Sequence, residues 1–245
     1  MLASMATART APSCEQCGGS GWRITPEGAV RCDCHFARRA VALVEAARIP
    51  PRYRHCTLEN FDLPEGARGL RLAHGAAVAY SRDYPGLVDR DRNGLLLHGT
   101  VGTGKTHLAV AVAQKLLDRG IGCRFADYRE LLKEIQATFD PANPTTEAAV
   151  VRPLLDVEVL VLDDLGVGRA TEWALETLHY ILNHRYSQRR ATLVTTNLEG
   201  EARDAKTPSL AQAVGERLRS RLHEMCRFIA VEGPDFRRTP SRRLD

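Results

Sequence analysis

From Gly94 onward, short apolar runs alternate with longer stretches in which apolar residues recur at helical spacing. The runs at 95–98, 122–126, 158–163, 191–196 and 227–231 are bounded by turn residues and read as five buried strands. That alternation is how a parallel α/β sheet covered on both faces is written. Between the strands, helices are expected over 105–119, 128–137, 171–188 and 209–222, with Gly120 placed to stop the first. A further helical stretch is expected within 127–153, beyond the turn-rich Phe139-Asp140-Pro141-Ala142-Asn143-Pro144. Upstream, Leu70, Ala73, Ala77 and Tyr80 share one face of an expected helix over 67–80. The first ~50 residues are different: rich in Cys, Gly and Arg, they end at Pro50-Pro51, which stops a helix running through 40–48. The expected division is a small module over 1–50 and an α/β domain over 51–245.

The turn after the first expected strand carries chemistry. Gly99-Thr100-Val101-Gly102-Thr103-Gly104-Lys105-Thr106 has the spacing G-x-x-x-x-G-K-[ST] between a strand and a helix, the arrangement that cradles phosphates. Its glycines let successive N–H groups converge, and the following helix adds its positive end. Lys105 is expected at the β- and γ-phosphates of ATP, and Thr106 at Mg2+. His107, the next helical residue, is counted with the nucleotide-binding set.

Two more strand ends point to the same edge. Val159-Leu160-Val161-Leu162 delivers Asp163 and Asp164 beside the phosphate loop, where Asp163 is expected to hold Mg2+ and Asp164 to orient the attacking water. The strand at 191–196 ends in Thr195-Thr196-Asn197, whose amide is placed to hold the γ-phosphate or the water, or to serve as an ordinary turn residue.

Composition narrows the setting. At 245 residues, 44% hydrophobic and 26% charged, the chain can bury a core without disulfides. A net charge of +4 fits a nucleic-acid partner without requiring one. No stretch has the ~20 apolar residues that cross a bilayer, and the start has no secretory apolar core, so no membrane partner and a cytoplasmic location are expected. In that reducing compartment, Cys14-x-x-Cys17 and Cys32-x-Cys34 read as four thiolates for a structural Zn2+, or else as free thiols; His35 is an alternative ligand. The run Arg237-Arg238-Thr239-Pro240-Ser241-Arg242-Arg243 is a basic tail.

Phosphate loop, Asp-Asp strand end, Thr-Thr-Asn strand end and Gly215-Glu216-Arg217-Leu218-Arg219-Ser220-Arg221-Leu222 together resemble the DnaC/IstB-like branch of AAA+ ATPases, the helicase loaders and transposition helpers. The segments Ile49-Pro50-Pro51-Arg52-Tyr53, Glu59-Asn60-Phe61 and Gly233-Pro234-Asp235-Phe236-Arg237 resemble the loaders among them. The resemblance implies a sheet of order 5-1-4-3-2, self-assembly around DNA and ATP sites between subunits. It implies that Arg221 completes a neighbour's site, with Arg217 as its partner, although the same two arginines also suit a solvated helix face. It further implies an amino-terminal zinc module that docks on a replicative DNA helicase, and a helix within 127–153 that lines a DNA channel, with Arg129, Lys133 and Arg152 as candidate contacts. The expected function is ATP-dependent helicase loading onto single-stranded DNA; the alternative is a transposition helper on duplex DNA. A small-molecule kinase also carries a phosphate loop, but the Asp-Asp and Thr-Thr-Asn strand ends count against it. Two departures stand out: 24 residues, 222–245, follow Arg221, so no full C-terminal lid is expected. The second acid is Asp rather than Glu, so hydrolysis is expected to be slow.

Overall fold

The cysteine-rich start folds into a hairpin, β1 (Trp22–Thr25) and β2 (Gly28–Arg31), antiparallel with Trp22 opposite Arg31 and followed by α1 (Asp33–Ala46). The computed structural model describes residues 14–26, 28–87, 90–166, 171–198 and 208–238, and only the backbone of residue 36. The extreme amino terminus and the tail beyond residue 238 lie outside them. The last turn of α1 joins the main body, where Ala47 and Ile49 are buried and the Phe125 N–H donates to the Ala47 carbonyl at 2.7 Å.

Then come α2 (Arg68–Asp83), β3 (Gly94–His98), α3 (Lys105–Leu117), β4 (Cys123–Asp127), α4 (Tyr128–Ala137), α5 (Glu147–Asp156), β5 (Val159–Asp163) and α6 (Glu172–Ser187). The chain continues through β6 (Ala191–Thr196), α7 (Leu210–Val214), α8 (Glu216–Met225) and β7 (Cys226–Ala230). The five strands β4-β5-β6-β3-β7 form one parallel sheet. Numbered along the chain and read from the β7 edge, the order is the expected 5-1-4-3-2.

Each strand feeds two cores because successive side chains point to opposite faces. Leu95, Leu97, Val159, Val161 and Leu193 pack with α2, α3 and the 47–61 segment. Leu96, Leu160, Leu162 and Val194 pack with α4, α5, α6 and α8. Strands buried on both faces read as continuous apolar runs, which is why they were visible in the sequence.

Helix starts follow their caps. The Asp127 carboxylate accepts from the N–H groups of Arg129 and Glu130, and Ser209 and Gln212 close a capping box on α7. The single helix expected over 209–222 is instead two: Gly215 (φ 84°) breaks it and re-aims the arginine-bearing α8. A buried cation ties the far end together. Arg185, 0% exposed, donates to the carbonyls of Leu154 (2.7 Å), Val157 (2.9 Å) and Ala191, and to the Thr192 hydroxyl (3.0 Å). Among the described residues, no helix is long and apolar enough to cross a membrane.

Candidate nucleotide site

The loop from Gly99 to Gly104 leaves β3 at the carboxyl edge of the sheet and runs into the first turn of α3. Gly99 (φ 141°), Gly102 (φ 80°) and Gly104 (φ 94°) hold backbone conformations that L side chains rarely adopt. They also lack room for a side chain. A Cβ on Gly104 would sit 2.6 Å from the Phe61 ring, and one on Gly102 would sit 1.8 Å from Asp235 Oδ1. Lys105 is 5% exposed, with its ammonium donating to the carbonyls of Gly99 (3.0 Å) and Thr100 (2.6 Å). Burial pushes it down to about 8; Asp164 and Asp163 oppose that shift, and Arg237 adds to it. The Thr103 hydroxyl donates to the Thr100 carbonyl, and Val101 is exposed at the loop tip.

The acids and hydroxyls meet beside this loop. Thr106 Oγ1 donates to Asp163 Oδ1 at 2.9 Å, and Thr195 Oγ1 donates to the same oxygen at 2.6 Å. Thr195 Oγ1 in turn accepts the Asp164 N–H at 2.9 Å, and the Asn197 amide lies 3.4 Å from Asp164 Oδ1. Asp163 is 3% exposed, and burial pushes its carboxyl up to about 6, against the pull of the two hydroxyls; Asp164 and Asp127 push it further up. Asp164 sits at φ 55°, a left-handed conformation uncommon outside glycine.

Some contributors were not legible in sequence. Asp127 stands opposite Asp163 in the β4–β5 register, and carboxylate oxygens of Asp127, Asp163 and Asp164 lie within 4.8 Å of one another. Thr195 carries no sequence signal beyond its place at a strand end. The segment after β7 crosses the phosphate loop, with the Phe236 N–H donating to the Gly102 carbonyl at 3.0 Å, which brings Arg237 within electrostatic range of Lys105. The His107 imidazole turns to the 55–61 segment, bonding the Thr57 carbonyl (2.9 Å) edge-on to Phe61.

Arg221 lies elsewhere. On α8, its guanidinium donates to Asn183 Oδ1 and rides 5.7 Å above the Tyr186 ring, while Arg217 is exposed. Of the candidate DNA contacts, Lys133 pairs with Glu130 (2.9 Å) and Arg152 with Asp156 (3.4 Å), each on its own helix.

The four amino-terminal sulfurs converge. Cys14 and Cys32 Sγ are 3.8 Å apart, Cys17 and Cys34 Sγ are 3.3 Å apart, and all four lie within 4.8 Å of one another. Tetrahedral thiolates on Zn2+ stand about 3.8 Å apart, so the cluster fits that ion. Desolvation raises the Cys17 thiol, but the Gly21 N–H at 3.3 Å and the neighbouring Cys34 outweigh it, leaving Cys17 at about 6.

A five-stranded 5-1-4-3-2 parallel sheet with a phosphate loop, a hydrogen-bonded acidic strand end and an adjacent amide defines an AAA+ nucleotide-binding domain. Within that class the chain belongs to the family of IstB-like ATP binding proteins, whose sequence model matches residues 27–243. It is 28% identical over 207 residues to the uncharacterized protein YqaM of Bacillus subtilis, covering 82% of this chain and 62% of that protein. It is 27% identical over 175 residues to the replicative helicase loader DnaC of Escherichia coli K12, covering 71% of this chain and 65% of DnaC. The chain therefore spans less than two thirds of either relative. A crystal structure of the DnaC helicase loader superimposes with a TM-score of 0.63 at 27% identity, over 75% of this chain and all of that one.

Proposed function

We propose that this protein is an ATP-hydrolysing switch that loads a replicative DNA helicase onto single-stranded DNA. The observation that carries the reading is the bonded series Thr106–Asp163–Thr195–Asp164–Asn197 beside the phosphate loop. The likeness to DnaC supports the helicase as partner. We take 1–50 as the partner-docking module and 51–245 as the ATPase domain.

ATP, when bound with Mg2+, supplies the γ-phosphoryl group to be transferred to water. Lys105 and the N–H groups of 99–106 hold the phosphates; Thr106 and Asp163 hold Mg2+. Asp164 orients the attacking water, and Asn197 fixes the Asp164 carboxylate. A positioned cation at the developing charge accelerates such transfer by on the order of a thousandfold or more. Arg221, held on Asn183 away from its own phosphate loop, suits that role in a neighbouring subunit. The four cysteines hold Zn2+ structurally, since four thiolates leave no open position.

The test is retention of the host's purified replicative helicase on this protein, with ATP hydrolysis and single-stranded DNA binding measured in the same preparation. The reading expects nucleotide-dependent retention. The family match also fits a transposition helper. That reading expects no helicase retention and ATP-dependent coating of duplex DNA.

A further inference from the structure

The opposite edge of the sheet also gathers charged residues. At the amino ends of β6, β3 and β7, which are adjacent in the sheet, the residues just before each strand surround a pocket of about 510 Å³. Arg90 and Arg92 come from the turn before β3, Arg189 and Arg190 from the turn before β6, and Glu224 from the end of α8 before β7. Asp91 and Glu224 are the acids facing these four arginines, and the Glu224 carboxylate accepts the Tyr186 hydroxyl at 2.6 Å. Buried Arg185 lines the pocket as well, so cations outnumber acids.

The turns are locked to one another. Asn93, 5% exposed, donates from Nδ2 to the Arg189 carbonyl at 2.6 Å, and its own carbonyl accepts the Tyr80 hydroxyl at 2.7 Å. The Arg92 N–H donates to the Glu224 carbonyl at 2.9 Å. Two of the arginines are also in costly backbone positions: Arg92 (φ 57°) and Arg189 (φ 51°) occupy the left-handed region. Glycine is the ordinary residue there, above all just past a helix end, where Arg189 stands. Both arginines therefore hold backbone conformations that carry a conformational cost.

We propose that this arginine-lined edge binds the phosphate backbone of a DNA strand. The arginine-bearing turns precede β6 and β3, which are neighbours in the sheet about 5 Å apart, so their cations form one continuous basic field along this edge that suits a polyanionic backbone. The candidate cations on α4 and α5 are three, Arg129, Lys133 and Arg152, against the four arginines that line this edge. It lies across the sheet from the phosphate loop, at the other end of β3. DNA held here leaves the nucleotide site open. The proposal rests on the DNA-handling reading above.

The test is the double variant Arg92→Gly/Arg189→Gly. Both positions accept glycine on backbone grounds, so loss of the side chains separates function from folding. The full chain with ATP is titrated with fluorescent single-stranded oligothymidine of about 20 nucleotides across a salt series. Expected are affinity at least about tenfold weaker at physiological salt and a log–log salt slope shallower by about 1.4, two phosphate contacts at roughly 0.7 each. The melting temperature should be unchanged or higher, and DNA-free ATP hydrolysis unchanged. If the glycine variant is poorly folded, Arg90→Gln/Arg190→Gln is read the same way. Wild-type affinity and slope in a folded variant overturn the proposal, as does pyrophosphate protecting the fold without displacing the oligonucleotide. A wild type that binds no DNA removes the DNA-handling reading itself, and this edge with it.

Discussion

Asp163→Asn should stabilise the nucleotide-free protein while disabling it. Asp163 is 3% exposed, and its carboxyl is pushed up to about 6 by burial. An unfolded aspartate titrates near about 3.9, so the folded state binds this proton more tightly by roughly two units, on the order of 3 kcal/mol. A raised acid contributes its full stability below the unfolded value and loses it as pH rises through the folded one. Wild type therefore gives up stability between about pH 4 and 6 from this group. Asparagine escapes that loss and keeps an Oδ1 to accept the hydroxyls of Thr106 and Thr195. With about 2–4 °C per kcal/mol for a chain of this size, the ceiling is a melting temperature higher by about 6–12 °C at pH 7.5. The gain should shrink towards zero near pH 4. Mg2+ with ATP should stabilise wild type more than the variant, which keeps the phosphate loop but loses a Mg2+ ligand. Calorimetry at several pH values, with and without the nucleotide, decides it. A variant no more stable than wild type at pH 7.5, or a gain that persists unchanged at pH 4, refutes the reasoning.

Lys105→Ala should abolish ATP binding by fluorescent-nucleotide titration, whereas Asp164→Asn should bind ATP and release no phosphate. Arg221→Ala should bind ATP yet hydrolyse it poorly, and mixing it with Lys105→Ala should restore some turnover, because one mixed interface pairs an intact loop with an intact arginine. Mixed assemblies that form and stay inactive would refute a shared site. Purified protein should carry about one Zn2+ per chain by metal analysis, and chelation should unfold the cysteine module first. Arg185→Met should lower stability by about 3–5 kcal/mol in urea melts, since the carbonyls of Leu154, Val157 and Ala191 lose a buried charged donor.

Much of the site was legible because its parts are contiguous. A phosphate loop is specified within eight residues, since glycine conformations, the lysine and the helix start act on one stretch of backbone. Strands buried on both faces announce themselves as apolar runs, and Cys14-x-x-Cys17 with Cys32-x-Cys34 sets two sulfur pairs before any fold is known. A continuous helix over 209–222 is what the pattern predicts because Gly215 is tolerated inside a helical pattern; its φ of 84° ends α7 instead.

Only the tertiary structure decided what lies across strands. Asp127 faces Asp163 because β4 and β5 pair in that register, and parallel pairing between distant strands leaves no local trace. Phe61 against Gly104, Asp235 against Gly102 and the buried Arg185 are likewise contacts between segments far apart in sequence. The arginines before β3 and β6 read singly as ordinary surface charge. The sequence determined the chemistry each strand end carries, because that chemistry is local. The sheet order determined which ends share an edge, because neighbours in a parallel sheet are chosen by packing and crossover, not by proximity along the chain.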